Sequence, residues 1–537
     1  MTKRFKRGTT VWLTALCASC LFSAHASGST LTVTTTADGG PGSLRQAMAD
    51  AAPGDMIVLD VKGTITLTSG PLVVTTDNVT IAGPDARALA IDAGHSSRVF
   101  EIGTAWSRVH VGISGLTLRN GSAATGGGIL NEGSLGLMDV ILTGHVASDR
   151  GGAVANRGTL VLLDTLVTAN RAGIGGGIEN DGGVVSIYRS TVSNNTADGP
   201  YGGMGGGIAS ATGGFGGGPA EALTIRDSLV SNNIASLRGG AIYNASGMLT
   251  IVNSTIASNS CTYAGLAGPC LCPGGGGIYN SMGAARIERS TIAGNSASTA
   301  GGAITTLYGS ITLNASILAK GSAGPNCYAG RYGTIASDGF NLSDDPSCAS
   351  AFTAYGDRND TPAGLSPMGV ENNGGPTGTI QLLPSSPAID AVPVCGGADQ
   401  RGVSRLQGSA CDIGAYERVA SPYSADVQMP IRSDGTTVFT GKRGVVPVKF
   451  TLSGEDMVAC ALPPAMISVA RIGGDSTGPV SEATYEMPAD TGRNFRVDIA
   501  SCGYEYNLAT ATFTPGSYWV SISIDGVVAG YAEFGVR

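Results

Sequence analysis

Hydrophobic positions in this chain fall in short runs, punctuated by glycine doublets rather than by charged segments. A tetrapeptide of two glycines, a small residue and a branched apolar residue recurs at Gly126, Gly151, Gly175, Gly205, Gly239, Gly275 and Gly301. The steps between first glycines are 25, 24, 30, 34, 36 and 26 residues. Self-similarity at such a period marks a solenoid, propeller or array. Ahead of nearly every tetrapeptide lies a second signature: a polar residue, three or four strand formers, and an asparagine six places on. Asp164 stands this way with Asn170, Arg189 with Asn195, Asp227 with Asn233, Asn253 with Asn259 and Arg289 with Asn295. Asp139 heads the same pattern with His145 in the asparagine place, and Asn314 heads a last copy ending at Lys320. Each period therefore predicts two or three strands joined by turns of Asn, Ser and Gly.

A right-handed parallel β-helix accounts for this pattern. Coils stacked at strand spacing, ~4.8 Å, bring equivalent residues into ladders. Asparagine tolerates left-handed backbone angles and can hydrogen-bond its own copies above and below. Consecutive glycines suit a sharp turn pressed against the next coil. The β-helix is expected over residues 56–325, in about ten or eleven coils. Its first part, 56–118, holds short strands such as Met56–Leu59 and Val79–Ala82 without the glycine signature. Longer inserts at 198–204, 211–221 and 261–274 are expected to leave the rod on one side, where solenoids often bind.

The flanks differ in period. In 27–55, Leu44, Ala47, Met48 and Ala51 fall on one helical face, Ser43 with Gln46 forms a capping box, and Pro53-Gly54 stops the helix. This predicts an N-terminal capping helix over the exposed first coil. Residues 326–418 are expected to close the solenoid. Beyond about 420 the glycine rhythm stops. Val446–Leu452, Tyr518–Ile524 and Tyr531–Phe534 alternate as half-buried strands, with Asp525-Gly526 as a hairpin turn. Residues 422–537 thus read as a small immunoglobulin-like β-sandwich, and the fold class is all-β.

Composition sharpens the picture at three points. Residues 1–26 have the basic start, apolar core and Ala24-His25-Ala26 site of a secretory signal, which predicts an exported, extracellular or cell-surface protein without a transmembrane anchor. The 537-residue chain carries a net charge of −8; removing Lys3, Arg4, Lys6 and Arg7 with the signal makes it −8 − 4 = −12. That balance excludes nucleic acid as the expected partner. The cysteines beyond the signal suggest disulfides rather than metal. Proximity favours Cys327 with Cys348, Cys395 with Cys411, Cys460 with Cys502, and Cys261 with Cys270 or Cys272, one thiol being left over.

Particular motifs resemble known families. Asn295-Ser296-Ala297 ahead of Gly301-Gly302-Ala303-Ile304 resembles polymorphic outer-membrane protein repeats. Gly42-Ser43-Leu44-Arg45-Gln46-Ala47 is similar to the CSLREA motif of exported bacterial surface proteins, with Gly42 in place of the cysteine and Gln46 of the glutamate. Pro384–Asp390, Asp399-Gln400-Arg401-Gly402 and Cys411–Glu417 resemble, in order, the choice-of-anchor Q module found at the end of bacterial β-helical surface proteins. Pro447, Lys449 and Phe450 are similar to the PxKF domain. These resemblances imply a β-helical surface protein over about 31–418 and say less about activity.

Chemistry has few candidates. The β-helix also hosts polysaccharide enzymes. A lyase of that kind needs carboxylates holding calcium and a basic group to take a proton; a hydrolase needs two carboxylates about 5–10 Å apart. The best constellation is the ladder Asp139, Asp164, Arg189, Asp227, Asn253, Arg289, from which Asp139, Asp164 and Arg189 are the catalytic candidates under the enzyme reading. Alternating charge is also what a structural ladder adopts. His95 and His145 read as structural or surface residues. Asp390, Asp399, Arg401, Arg405, Asp412 and Glu417 read as an ion-pair network holding the last coil. No phosphate loop, nucleophile elbow or metal pairing occurs, so no cofactor or metal is expected, calcium entering only with a lyase. The expectation is a secreted or cell-surface, non-catalytic, monomeric β-helix protein for adhesion, scaffolding or display, with an unidentified surface or polysaccharide ligand. The alternative is an extracellular polysaccharide lyase or glycoside hydrolase.

Overall fold

The computed structural model describes residues 28–537 except 105–107, 201, 212–221, 263–273, 299–300, 420, 422, 433–434, 441–443, 455–461, 474–479, 482–486 and 526. The expected signal, Cys270, Cys272 and Cys460 lie outside the described residues.

One coil shows the rule. Val154–Asn156 is followed by Thr159–Leu163, Leu166–Thr168 and Arg171–Ala172. Each strand pairs in parallel with its counterpart one coil later: Val154 with Ile178, Leu160 with Val185, Val167 with Val192, Ala172 with Ala197. This pairing repeats from Thr30–Val33 to Leu342–Ser343 and makes a parallel β-solenoid, one of whose sheets has ten strands. Because register is kept, inward residues stack on their own kind. Ile129, Val154, Ile178, Ile208, Ile242, Ile278 and Ile304 form one buried column; Leu137, Leu162, Ile187, Ile225, Ile251, Ile287 and Leu313 form another. Each such side chain contributes roughly 1.5–3 kcal/mol by leaving water.

The glycine doublets sit where coils press together. Gly151 has φ +64°, a left-handed angle, and a Cβ on Gly152 would lie 2.0 Å from the Gly176 carbonyl oxygen of the next coil. Two polar columns stabilise the other corners. Asn170, Asn195, Asn233, Asn259 and Asn295 are buried, and each Oδ1 accepts the backbone N–H of the preceding rung at 2.9–3.0 Å. A second column, Thr165, Ser190, Ser228, Ser254, Ser290 and Ser316, accepts backbone N–H groups in the same way at 3.0–3.4 Å. The left-handed angles belong to the residue just ahead of each rung, not to the ladder asparagines: Ala169, Asn194, Asn232 and Ser258 at one corner, Asp139 to Arg289 at the other. The head of the last copy is Ala315, which is left-handed, and not Asn314, because Asn314 pairs with Glu288.

The helix Leu44–Asp50 starts at Ser43, whose side chain accepts from the Gln46 N–H, and Leu44 and Ala47 pack into the solenoid core. The reciprocal half of the capping box is missing, since the Gln46 amide donates to Asp50 at 2.9 Å. Arg45 fastens the helix by donating to the carbonyls of Gly70 and Pro71 and to Asp38.

At the other end the ladder continues past 325 through Cys327–Ala329, Thr334–Ser337 and Leu342–Ser343. The Cys327–Cys348 disulfide and Phe352 then close the core. Residues 363–418 do not stay at the last coil. They fold back along the flank, where Ala363, Ile380, Leu382, Ala388 and Ile413 cover Ala257, Ala293, Ile317 and Ala319. Of the expected inserts, 198–204 precedes the Gly205 corner, while nearly all of 211–221 and 261–274 lies outside the described residues.

Residues 424–536 form a four-stranded and a five-stranded sheet. Phe450 and Tyr504 of the first share a core with Val520 and Phe534 of the second. Gly516–Ile524 and Val527–Val536 make the expected antiparallel hairpin. Cys395–Cys411 is a disulfide, and Cys502 is disulfide-bonded as well. Cys261 is buried, takes an alanine's place between Ala235 and Ala297, and donates its thiol to the Leu237 carbonyl.

Candidate functional site

Asp139, Asp164, Arg189, Asp227, Asn253 and Arg289 do stack as one ladder, with φ of 52°, 49°, 44°, 52°, 47° and 46°. Left-handed angles cost an ordinary residue roughly 1–2 kcal/mol, which polar residues and glycine bear best. Such corners throw the side chain outward.

The fold-back divides this ladder in two. Thr377 donates to the Asp227 carbonyl at 3.1 Å. The Asn253 amide donates to the Ala398 carbonyl at 2.8 Å and accepts from the Arg405 guanidinium at 3.1 Å. These rungs are spent on docking the segment. Asp139, Asp164 and Arg189 remain outside it and line a groove of about 400 Å³, together with Asp85, Arg87, Ile141, Leu166, Thr191 and Pro376. The outward column on the groove floor is roofed at both ends. Thr117 donates to the Ala86 carbonyl at one end, and Leu229 is buried beside Gly378 at the other.

One ion pair is closed within the groove. Arg189 grips both oxygens of Asp164, at 2.9 and 2.6 Å, a bidentate pair. Partial burial, and then the charges of Asp85 and Asp164, push the Asp139 carboxyl upward. Arg189 holds Asp164 as an ion-pair acceptor, while Asp139 and Asp85 face the groove outside any described ion pair. Among the described residues, no group of three or more His, Cys, Asp and Glu side chains is placed to hold a metal ion.

Three carboxylates of the closing motifs are saturated, while Asp390 is exposed and accepts the Ala410 N–H. Glu417 accepts the N–H groups of Leu406, Gln407 and Asp412 and lies 3.4 Å from Arg405. Asp399 accepts from the N–H groups of Arg401, Val403 and Glu417 and from the Arg401 guanidinium. Arg401 in turn lies 3.7 Å over the Tyr416 ring. Asp412 accepts from the N–H groups of Asp390 and Arg418, while burial lifts its carboxyl to about 6. Three motifs spaced along residues 384–417 thus converge into one largely buried network.

His145 is a ladder rung. Its Nδ1 accepts the Gly121 N–H at 2.9 Å, its own N–H donates to Asn170, and burial lowers its pKa to about 3. His95 is exposed at φ 58°. Sequence reasoning missed Glu179, a fully buried carboxylate 2.9 Å from the Arg150 guanidinium, which burial lifts to about 7. The signal was present: Ile178-Glu179-Asn180 has a charge where Val154-Ala155-Asn156 and Ile242-Tyr243-Asn244 have apolar residues.

Two solved structures are similar to this chain. The crystal structure of pectate lyase Pel9A is 18% identical with a TM-score of 0.37, over 75% of this chain and 99% of that chain. Geobacillus virus E2 ORF18 is 12% identical with a TM-score of 0.32, over 59% of this chain and 61% of that chain. Likeness at this level concerns the β-solenoid and carries no argument about activity. No protein-family model and no curated protein matches the chain.

Proposed function

We propose that this chain is a non-catalytic extracellular β-solenoid that serves adhesion, scaffolding or display, with an N-terminal helical cap and a C-terminal sandwich of immunoglobulin-like type. The reading rests chiefly on how the carboxylates are used. In the groove, Arg189 occupies both oxygens of Asp164, and the dense acidic network of the closing segment is consumed by backbone N–H groups. A general acid and base need a free, oppositely tuned pair. Disulfides at Cys327–Cys348 and Cys395–Cys411 fit an oxidising compartment, and no described helix is long and apolar enough to cross a membrane.

A polysaccharide lyase or glycoside hydrolase is the second reading, and Asp139 is what favours it: a partner-free carboxylate, raised by its surroundings, in a groove of about 400 Å³. The deciding experiment incubates purified protein with pectin, alginate and glycosaminoglycans, with and without calcium. The expected result is no unsaturated or reducing sugar above the buffer control. Release that disappears in Asp139→Asn would establish the enzyme instead.

A further inference from the structure

Among the described residues few aromatic side chains are exposed, and two of them gather with a methionine at one turn of the last coils. Met282, Tyr308 and Tyr332 are 66%, 61% and 62% exposed. Strand register places them on successive coils: Ile278 pairs with Ile304 and Ala284 with Ser310, which sets Tyr308 over Met282, and Thr306 pairs with Ala329 just before Tyr332. The Tyr308 and Tyr332 rings stack with centroids 5.8 Å apart, and the Arg331 guanidinium lies 5.4 Å from the Tyr332 centroid. In earlier coils the same turn carries an ion-pair ladder, Glu132–Arg157–Asp181. A structural turn therefore has a polar solution in this molecule, and the aromatic one exposes apolar surface that the fold does not use.

Size and charge narrow the occupant. Three such side chains expose on the order of 400 Å², about half of the roughly 800 Å² per partner in a stable protein interface. The ridge is one residue wide and runs along the solenoid axis, which suits a linear chain better than a globular face. Its rungs repeat at ~4.8 Å, close to the length of one pyranose in a β-linked polymer, whose C–H faces pack on aromatic rings. The net charge of −8 disfavours polyanions. We propose that the Met282–Tyr308–Tyr332 ridge binds a linear, uncharged polysaccharide laid along the solenoid. This rests on the non-catalytic reading above and names its ligand class.

The test uses full-length protein depleted from solution by microcrystalline cellulose, chitin, polygalacturonate and alginate, with sugar release measured in the same tubes. Depletion by cellulose or chitin is expected, weakened about ten-fold or more in Tyr308→Ala/Tyr332→Ala. The control Tyr355→Ala, at an exposed tyrosine outside the ridge, should bind as the parent does, and all three proteins should melt within a few degrees of one another. No binding to the neutral polymers, binding to the polyuronates alone, or equal binding by the double variant overturns the ridge. Tyrosine-dependent self-association in sedimentation without glycan binding also overturns it, since a second copy would then be the occupant. Sugar release with tyrosine-dependent binding would instead overturn the non-catalytic reading and leave the ridge standing.

Discussion

At the scale of single residues, two buried ionisable groups set opposite pH dependences. His145 is held neutral, so between its ordinary pKa near 6.5 and its folded value of about 3 the unfolded chain binds more protons. Stability from this group is therefore present above about 6.5 and is lost as pH falls toward about 3. Asparagine can place Oδ1 where His145 Nδ1 accepts the Gly121 N–H. His145→Asn should match the parent near pH 7 and exceed it by on the order of 2–3 kcal/mol at pH 4, measured by urea denaturation. Equal loss in both proteins would refute the assignment. Glu179 runs the other way: its carboxyl is raised, so its contribution is present below about 4.5 and is lost as pH rises through about 7. Glu179→Gln should flatten the decline in denaturation midpoint between pH 5 and 8. His145 was legible in the sequence because it stands six places after Asp139, in the asparagine slot. Glu179 was marked only by its charge in a mostly apolar strand slot; nothing local says that this outward position is covered by a neighbouring corner.

At the scale of elements, stability resides in columns rather than in strands. Asn195 donates to Val167 O and Asn233 Oδ1 and accepts the Asn170 N–H, all within 3.0 Å. Asn195→Ala leaves buried backbone groups unpaired and should cost about 3 kcal/mol or more in urea denaturation. By contrast, Asp164→Gly relieves a left-handed angle while freeing an exposed ion pair, and should stay within about 1 kcal/mol of the parent. The asparagine column could be read from its six-residue spacing. The serine column could not: Thr165, Ser190 and Ser228 sit among strand formers, and only parallel stacking turns their hydroxyls into a ladder. The one-residue slip at Asn314 has the same origin, because pairing with Glu288 rather than composition decides which residue takes the corner.

At the scale of the whole molecule, the fold-back 363–418 is the feature that sequence reading placed least well. Its motifs were recognisable one by one, yet no local pattern tells a largely strandless segment which coils to lie against. Arg405 is the key to it, reaching Asn253 of the solenoid and Glu417 of the segment from a fully buried position. Arg405→Met should cost about 3–5 kcal/mol by stranding Glu417. It should expose 363–418 to limited proteolysis while the coils stay protected, and adding Glu417→Gln should recover part of the loss. The same geometry bears on how the protein comes into being. A polypeptide delivered amino end first can wind its coils as each arrives, yet Ala257, Ala293 and Ile317 remain bare until the chain has been supplied as far as Ile413. For that interval one side of a finished spiral is adhesive to anything apolar, so residues 363–418 act as a built-in chaperone for the coils laid down just before them.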